Sequence, residues 1–269
     1  MVEDVPFWYG ITLRNGMKAY VAKSACTVLP EEDPTDTQPP DDHNNPPPVT
    51  NPTPLPACQI KDIPADFTNV CPASGSGGIY VDAYVQKNRT HVPCNYTPMT
   101  VQQVLELDHL PADVHSHPDG DQQLVFLKQL ESTPVVMEGF LVMAKDGGIE
   151  GVNCKSDTRL DIHMEIVGND TEDPIDNRAS HVITEVTPWF REDIPNWTTD
   201  KLGKFASYVG GYNGAKQGPP TKIRIYGWMF FDEAHAKDGS INNWRGTAWE
   251  VHPITRIEVF ENGAWKQVQ

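Results

Sequence analysis

The sequence is short of positive charge: 21 lysines and arginines face 37 aspartates and glutamates in 269 residues, for a formal charge of -16. Non-specific nucleic-acid binding requires a basic surface that displaces counterions, so that class of partner is not expected. No run approaches the roughly 20 apolar residues that cross a bilayer, so no membrane-spanning helix is expected. The cysteines form no C-x-x-C pair, which argues against a zinc knuckle or a thioredoxin-like site. A G-x-S-x-G elbow, a P-loop and a dinucleotide fingerprint are also missing, leaving elbow-type serine hydrolases and nucleotide enzymes without support. The opening Met-Val-Glu-Asp-Val-Pro-Phe-Trp does not read as a signal peptide.

The five cysteines that are present are unevenly placed: Cys26, Cys58, Cys71 and Cys94 precede residue 100, and Cys154 follows. The early part has the weakest hydrophobic pattern, and disulfides commonly substitute for a thin core. An extracytoplasmic or secreted location is therefore expected, either of a mature chain or of one whose leader the sequence omits. Cys154 is expected to pair with an N-terminal cysteine or to remain a buried thiol. N-x-T sequons at Asn88, Asn95, Asn169 and Asn196 are compatible with that location.

Four segments are expected along the chain. Residues 1–27 read as an arm of two short strands around the turn signal Asn15-Gly16. Residues 28–57 are rich in Pro, Asp, Asn and Thr and read as an extended linker, too polar to offset its ordering entropy. Residues 58–133 are loop-rich, with a short helix after the N-cap Thr100 and its partner Gln103, and a second apolar run from Leu124 to Leu130. Residues 134–269 carry the regular pattern.

There, Val135 to Ala144, Leu160 to Val167 and Val182 to Val186 alternate as strands, and Asp200 to Val209 reads as a helix closed by Gly210-Gly211. Lys222 to Asp232 and Trp249 to Phe260 form a hairpin with a decorated connection. Three strands, a helix and two strands is the order of an OB-like five-stranded barrel with one helix between strands three and four. The predicted class is mainly β, with a loop-rich, cysteine-containing N-terminal region.

With the apolar sides inward, Asp161, His163, Glu185, Glu250 and His252 share the outer face, where OB-folds bind ligands. Such residues suit a divalent metal, zinc or manganese: His163, His252 and Asp161 are the candidate ligands, with Glu185 and Glu250 as candidate catalytic groups. Tyr226, Trp228 and Arg245 are candidate binding residues, since an aromatic face stacks on a sugar or a base. Cross-strand polar pairs that only fix register are the competing explanation.

The string His115-Ser116-His117-Pro118 resembles the metal motif of JAMM-type zinc isopeptidases, without that family's following serine. It also resembles the opening of the metallo-β-lactamase motif, with Gly120 where the last histidine belongs. Neither pattern is completed, and a solvated loop is expected there. From residue 138 the chain resembles a group of bacterial proteins without an assigned activity, through Asn153-Cys154, Asp161-x-His163, Glu185-Val-Thr-Pro188, Gly227-Trp228, Phe231-Asp232-x-x-His235 and Trp249-Glu250-Val251-His252-Pro253. That resemblance implies a self-contained β-domain whose recurrent polar residues lie on one outer face.

The expected function is an extracytoplasmic binding or assembly module that recognises a protein or a polysaccharide through this face, with self-assembly through the N-terminal arm. The alternative is a metal-dependent, phosphodiesterase-like hydrolase.

Overall fold

A computed structural model of the chain describes residues 71–78, 81–170, 178–211, 213, 216–236, 241 and 243–269, and the backbone alone of 2–5, 8–12, 18–22 and 59–60. The chain divides into two compact units, Met1–Thr53 and Pro54–Gln269. The first holds a three-stranded antiparallel sheet, β1 (Val2–Val5), β2 (Trp8–Thr12) and β3 (Lys18–Ala22), with Trp8 opposite Ala22. It has one strand more than expected. The Asn15-Gly16 turn and the 28–57 linker lie outside the described residues.

The second unit opens with β4 (Gln59–Ile60), α1 (Val81–Lys87), β5 (His91–Val92) and β6 (Thr97–Thr100). Two helices follow, α2 (Val101–Leu105) and α3 (Gln122–Glu131). Thr100 and Gln103 close the expected reciprocal cap: the Gln103 N–H donates to Thr100 Oγ1 at 3.1 Å, and the Thr100 N–H donates to Gln103 Oε1 at 2.8 Å. In α3 the apolar run becomes a stripe of Leu124, Leu127 and Leu130, all buried, which packs the helix onto the barrel.

The barrel is built from β7 (Pro134–Asp146), β8 (Ile162–Val167), β9 (Val182–Val186), β11 (Thr221–Phe231) and β12 (Trp249–Glu261). Around the closed cycle the order is β7, β8, β9, β12, β11 and back to β7, with β9 and β12 parallel and the other neighbours antiparallel. The expected mainly β chain with a five-stranded barrel is what the chain forms. Closure removes free strand edges and encloses Met137, Leu141, Met164, Ile225, Met229, Val251 and Ile257, all fully buried. Two register shifts in the β11–β12 ladder fall at Gly227, where an added Cβ would lie 2.5 Å from the Pro253 carbonyl and 2.7 Å from Val251. Glycine there lets the bulged β12 come close, and the paired shifts return Ile257 to the inward face that Trp249 and Val251 share.

Between β9 and β11 the chain makes α4 (Pro188–Asp193), α5 (Thr199–Gly203) and β10 (Tyr208–Val209) rather than one helix from Asp200. The helix stops at Gly203, whose missing Cβ leaves room for the Val209 side chain 2.7 Å from where it would stand. The returning chain then lies parallel to β7. A short helix α6 (Glu233–Ala236) follows β11, and Asn262-Gly263, both at positive φ, turns β12 into a final strand β13 (Ala264–Gln267). No helix among the described residues is long and apolar enough to cross a membrane.

Candidate functional site

Alternation along β8, β9 and β12 sends Met164, Thr184 and Val251 inward and His163, Glu165, Glu185, Glu250 and His252 outward. His163 stands directly opposite Glu185, as adjacent antiparallel strands require of side chains on one face. The expected polar face therefore exists, but it is not a surface. Asp161, Glu250 and His252 are 1 %, 0 % and 0 % exposed. Part of the cover is α1, which lies against β11 and β12 with Lys87 Nζ 5.4 Å from the Phe230 ring centre.

That cover is pinned by a disulfide from Cys71 to Cys154, across 83 residues of sequence. Cys154 thus takes the expected partner class, an N-terminal cysteine, and Cys94 is also disulfide-bonded. Asn88 donates from Nδ2 to the carbonyls of Ala73 and Val152, at 3.0 and 3.2 Å. Its amide is buried and engaged, so the Asn88 sequon is closed to a glycan in the folded chain.

Beneath the cover, acids and bases alternate. His181 meets Glu165, Glu165 meets His163, and His163 Nδ1 lies 2.9 Å from Glu185 Oε1. His252 Nδ1 lies 3.2 Å from Glu185 Oε2 and 3.7 Å from Glu250 Oε2, without hydrogen-bond alignment. Glu250 accepts from Arg245, which also reaches Asp232 at 3.5 Å, and Asp232 meets His235 at 2.6 Å. From α1, Lys87 Nζ stands 3.4 Å from Glu150 and 3.8 Å from Glu185.

Burial and mutual charge set the protonation of this array. Burial opposes the charged imidazole of His163, but its bonds with Glu165 and Glu185 outweigh that and lift it to about 9. His252 is likewise lifted to about 9 against burial by Glu185 and Glu250. Burial pushes Asp161 up to about 7; His252 and Lys87 oppose the rise while Glu185 and Glu150 add to it. Glu185 is held well below the usual carboxylate range, because Lys87, His163 and His252 together overcome its burial.

Among the described residues, one group has metal-ligand spacing. Asp161, Glu185 and His252 each offer a ligand atom, and these atoms all lie within 4.8 Å of one another. His163 does not join that group, since its two ring nitrogens face Glu185 and Glu165. Glu185, expected as a base, takes its place.

The expected binding residues separate. Tyr226 is buried, its hydroxyl donating to Glu258 at 2.6 Å and its ring meeting Tyr96 edge-on at 5.2 Å, so it offers no stacking face. Trp228 donates from Nε1 to the His91 carbonyl and lies under Arg89 at 4.8 Å, so these two outward aromatics of β11 are covered by the chain's own earlier residues. Arg245 is buried in the acid–base array and also lines a cleft of about 700 Å³. Lys145, His163, Arg178, Trp244 and Glu165 line that cleft as well. Trp244 is 63 % exposed, with the Arg178 guanidinium 5.5 Å above its ring.

The His115 string is not a solvated loop. His115 Nδ1 lies 2.7 Å from Glu233 and Nε2 3.4 Å from Glu131, tying the 114–116 turn to α3 and α6. Lys87, His181 and Trp244 were not anticipated as site residues: Lys87 ends a short helix in a segment with no apolar period, and the other two stand outside the alternating strands. Comparison with protein-family models, with curated proteins and with solved structures found no match.

Proposed function

We propose that the chain is an extracytoplasmic binding module built on an OB-like barrel, and that its ligand is an anionic oligosaccharide held in the cleft beside the acid–base array. The strand order, with its parallel third and fifth strands, supports the OB-like assignment. In that architecture oligonucleotides and oligosaccharides bind on the outer face. The disulfide supports an oxidising compartment.

The carrying observation is the cleft lining. In a chain of formal charge -16, Lys145 and Arg178 line one cleft beside an exposed indole, while Arg245 and His163 at its wall are paired with acids of the array. Its volume of about 700 Å³ falls within the roughly 300–1,000 Å³ typical of ligand sites. The cations suit carboxylate or sulfate groups, and Trp244 gives a flat apolar face for a sugar ring. The hydrolase alternative needs substrate to reach Glu185 and Glu250, which are 5 % and 0 % exposed, and that burial favours the binding reading.

Calorimetric titration of the intact chain with uronic-acid oligosaccharides and with neutral ones of equal length tests the proposal. The acidic series is expected to bind, and Trp244→Ala to weaken it about tenfold, in line with the ~0.5–1.5 kcal/mol of an aromatic contact. Equal affinity for the neutral series, or no effect of the Trp244 change, would remove the reading.

A further inference from the structure

Asp161 is a buried acid that no hydrogen bond from the protein reaches. It is 1 % exposed, and neither carboxylate oxygen has a hydrogen-bond partner. Such a group is costly unless a cation or several donors meet it. Glu185 Oε2 and both ring nitrogens of His252 are also buried without a hydrogen bond, and these residues are the ones that approach Asp161 at ligand spacing.

We propose that Asp161, Glu185 and His252 bind one divalent cation, zinc or manganese, at the centre of the covered face. The inference is independent of what occupies the cleft.

The protein's own cations reach the edge of this space, but none of them hydrogen-bonds Asp161. Lys87 is placed against Glu150 at 3.4 Å and Glu185 at 3.8 Å, and Arg245 is taken by Glu250 and Asp232. Direct hydrogen bonding cannot close it either, because His252 approaches Glu185 and Glu250 and leaves Asp161 without a donor. A cation satisfies all three ligands together. Zinc bonds of about 2.1 Å at tetrahedral angles put donors about 3.4 Å apart, so donors within 4.8 Å close on an ion by side-chain movements of up to about 1 Å.

The surroundings hold one ligand in place. His163 occupies Glu185 Oε1 at 2.9 Å and leaves Oε2 for the ion, while Glu165 fixes His163 from the other side. Hydrogen-bonded partners of this kind orient ligating groups in metal sites. Glu250 Oε2, also unpartnered, lies 3.7 Å from His252 Nδ1 and marks where a fourth ligand or a bound water would stand. Two carboxylates and an imidazole form a mixed O and N set that both ions accept.

The test uses the full chain, stripped with chelator and titrated with zinc, manganese or cobalt(II). One equivalent is expected to bind, with cobalt giving visible absorption that saturates at that point. Asp161→Asn and His252→Ala are expected to abolish binding, and His163→Gln to weaken it about 10- to 100-fold. Failure of wild type to bind any of the three ions, or full binding by a folded Asp161→Asn, would overturn the proposal. If a ligand variant does not fold, nuclear magnetic resonance of wild type decides. A shift of the His252 ring signals at one equivalent of zinc supports the site, and unmoved signals reject it.

Discussion

Strands β8, β9 and β12 bury both of their faces, one by apolar packing and the other by an array of acids and bases. Inside the barrel, Met164 and Val251 are fully buried among hydrocarbon neighbours, which needs nothing beyond close packing. On the outer side, Glu185, Glu250 and His252 are nearly as dry, yet they keep polar atoms without a hydrogen bond. The first face is complete by itself, whereas the second depends on what covers it and on what fills it. A polar centre on the outside of a barrel stays dry only where other chain covers it, and here α1 and the disulfide-held Cys71 contribute to that cover.

The comparison can be broken from the cover inward. Removing the disulfide with Cys154→Ser should cost most, about 4–5 kcal/mol for a loop of 83 residues on the chain-entropy estimate. Denaturant unfolding measures the loss, and hydrogen exchange at Glu185 and His252 should rise more than at Met164. Equal rises on both faces would mean the cover does not shield the polar side selectively. Next in size is the interior: Ile225→Ala should cost about 3 kcal/mol through transfer and cavity terms, by the same denaturant assay, and leave the polar array intact.

The smallest effect is electrostatic and lies away from both faces. Burial opposes charge on His115, but Glu131 from α3 and Glu233 from α6 raise it to about 9. An imidazole that is ordinarily near 6.5 therefore contributes stability that is full below about pH 6.5 and is lost as pH rises through about 9. Partial exposure screens the pair, so the contribution is modest. Comparing Tm between pH 6 and 9.5 for wild type and His115→Gln should show a steeper fall in wild type, and parallel curves would refute it.

The two faces were unequally legible beforehand. The inward face follows from period-two alternation, and Val182–Val186 falls where the pattern placed it because a short strand buried between two neighbours leaves little freedom of register. The same alternation placed His163, Glu185, Glu250 and His252 on one outer side. It could not show their burial, because that depends on a segment whose few apolar residues follow no period and which is held by a disulfide. Nor could it show that Glu185 rather than His163 has ligand spacing to Asp161 and His252, since that depends on side-chain placement across three strands. Strand β13 follows the turn signal Asn262-Gly263, whereas β10 pairs over two residues, too few to form a pattern.

The central claim is that the covered polar face is completed by a divalent cation. Its most direct measurement is the Tm of wild type and Asp161→Asn side by side, each with one equivalent of zinc and with chelator. Chelation should lower the Tm of wild type and leave that of Asp161→Asn unchanged, with the chelated variant at or above chelated wild type because a buried, unpartnered carboxylate has been removed. A wild-type Tm indifferent to chelation, or the same shift in both proteins, would contradict the account.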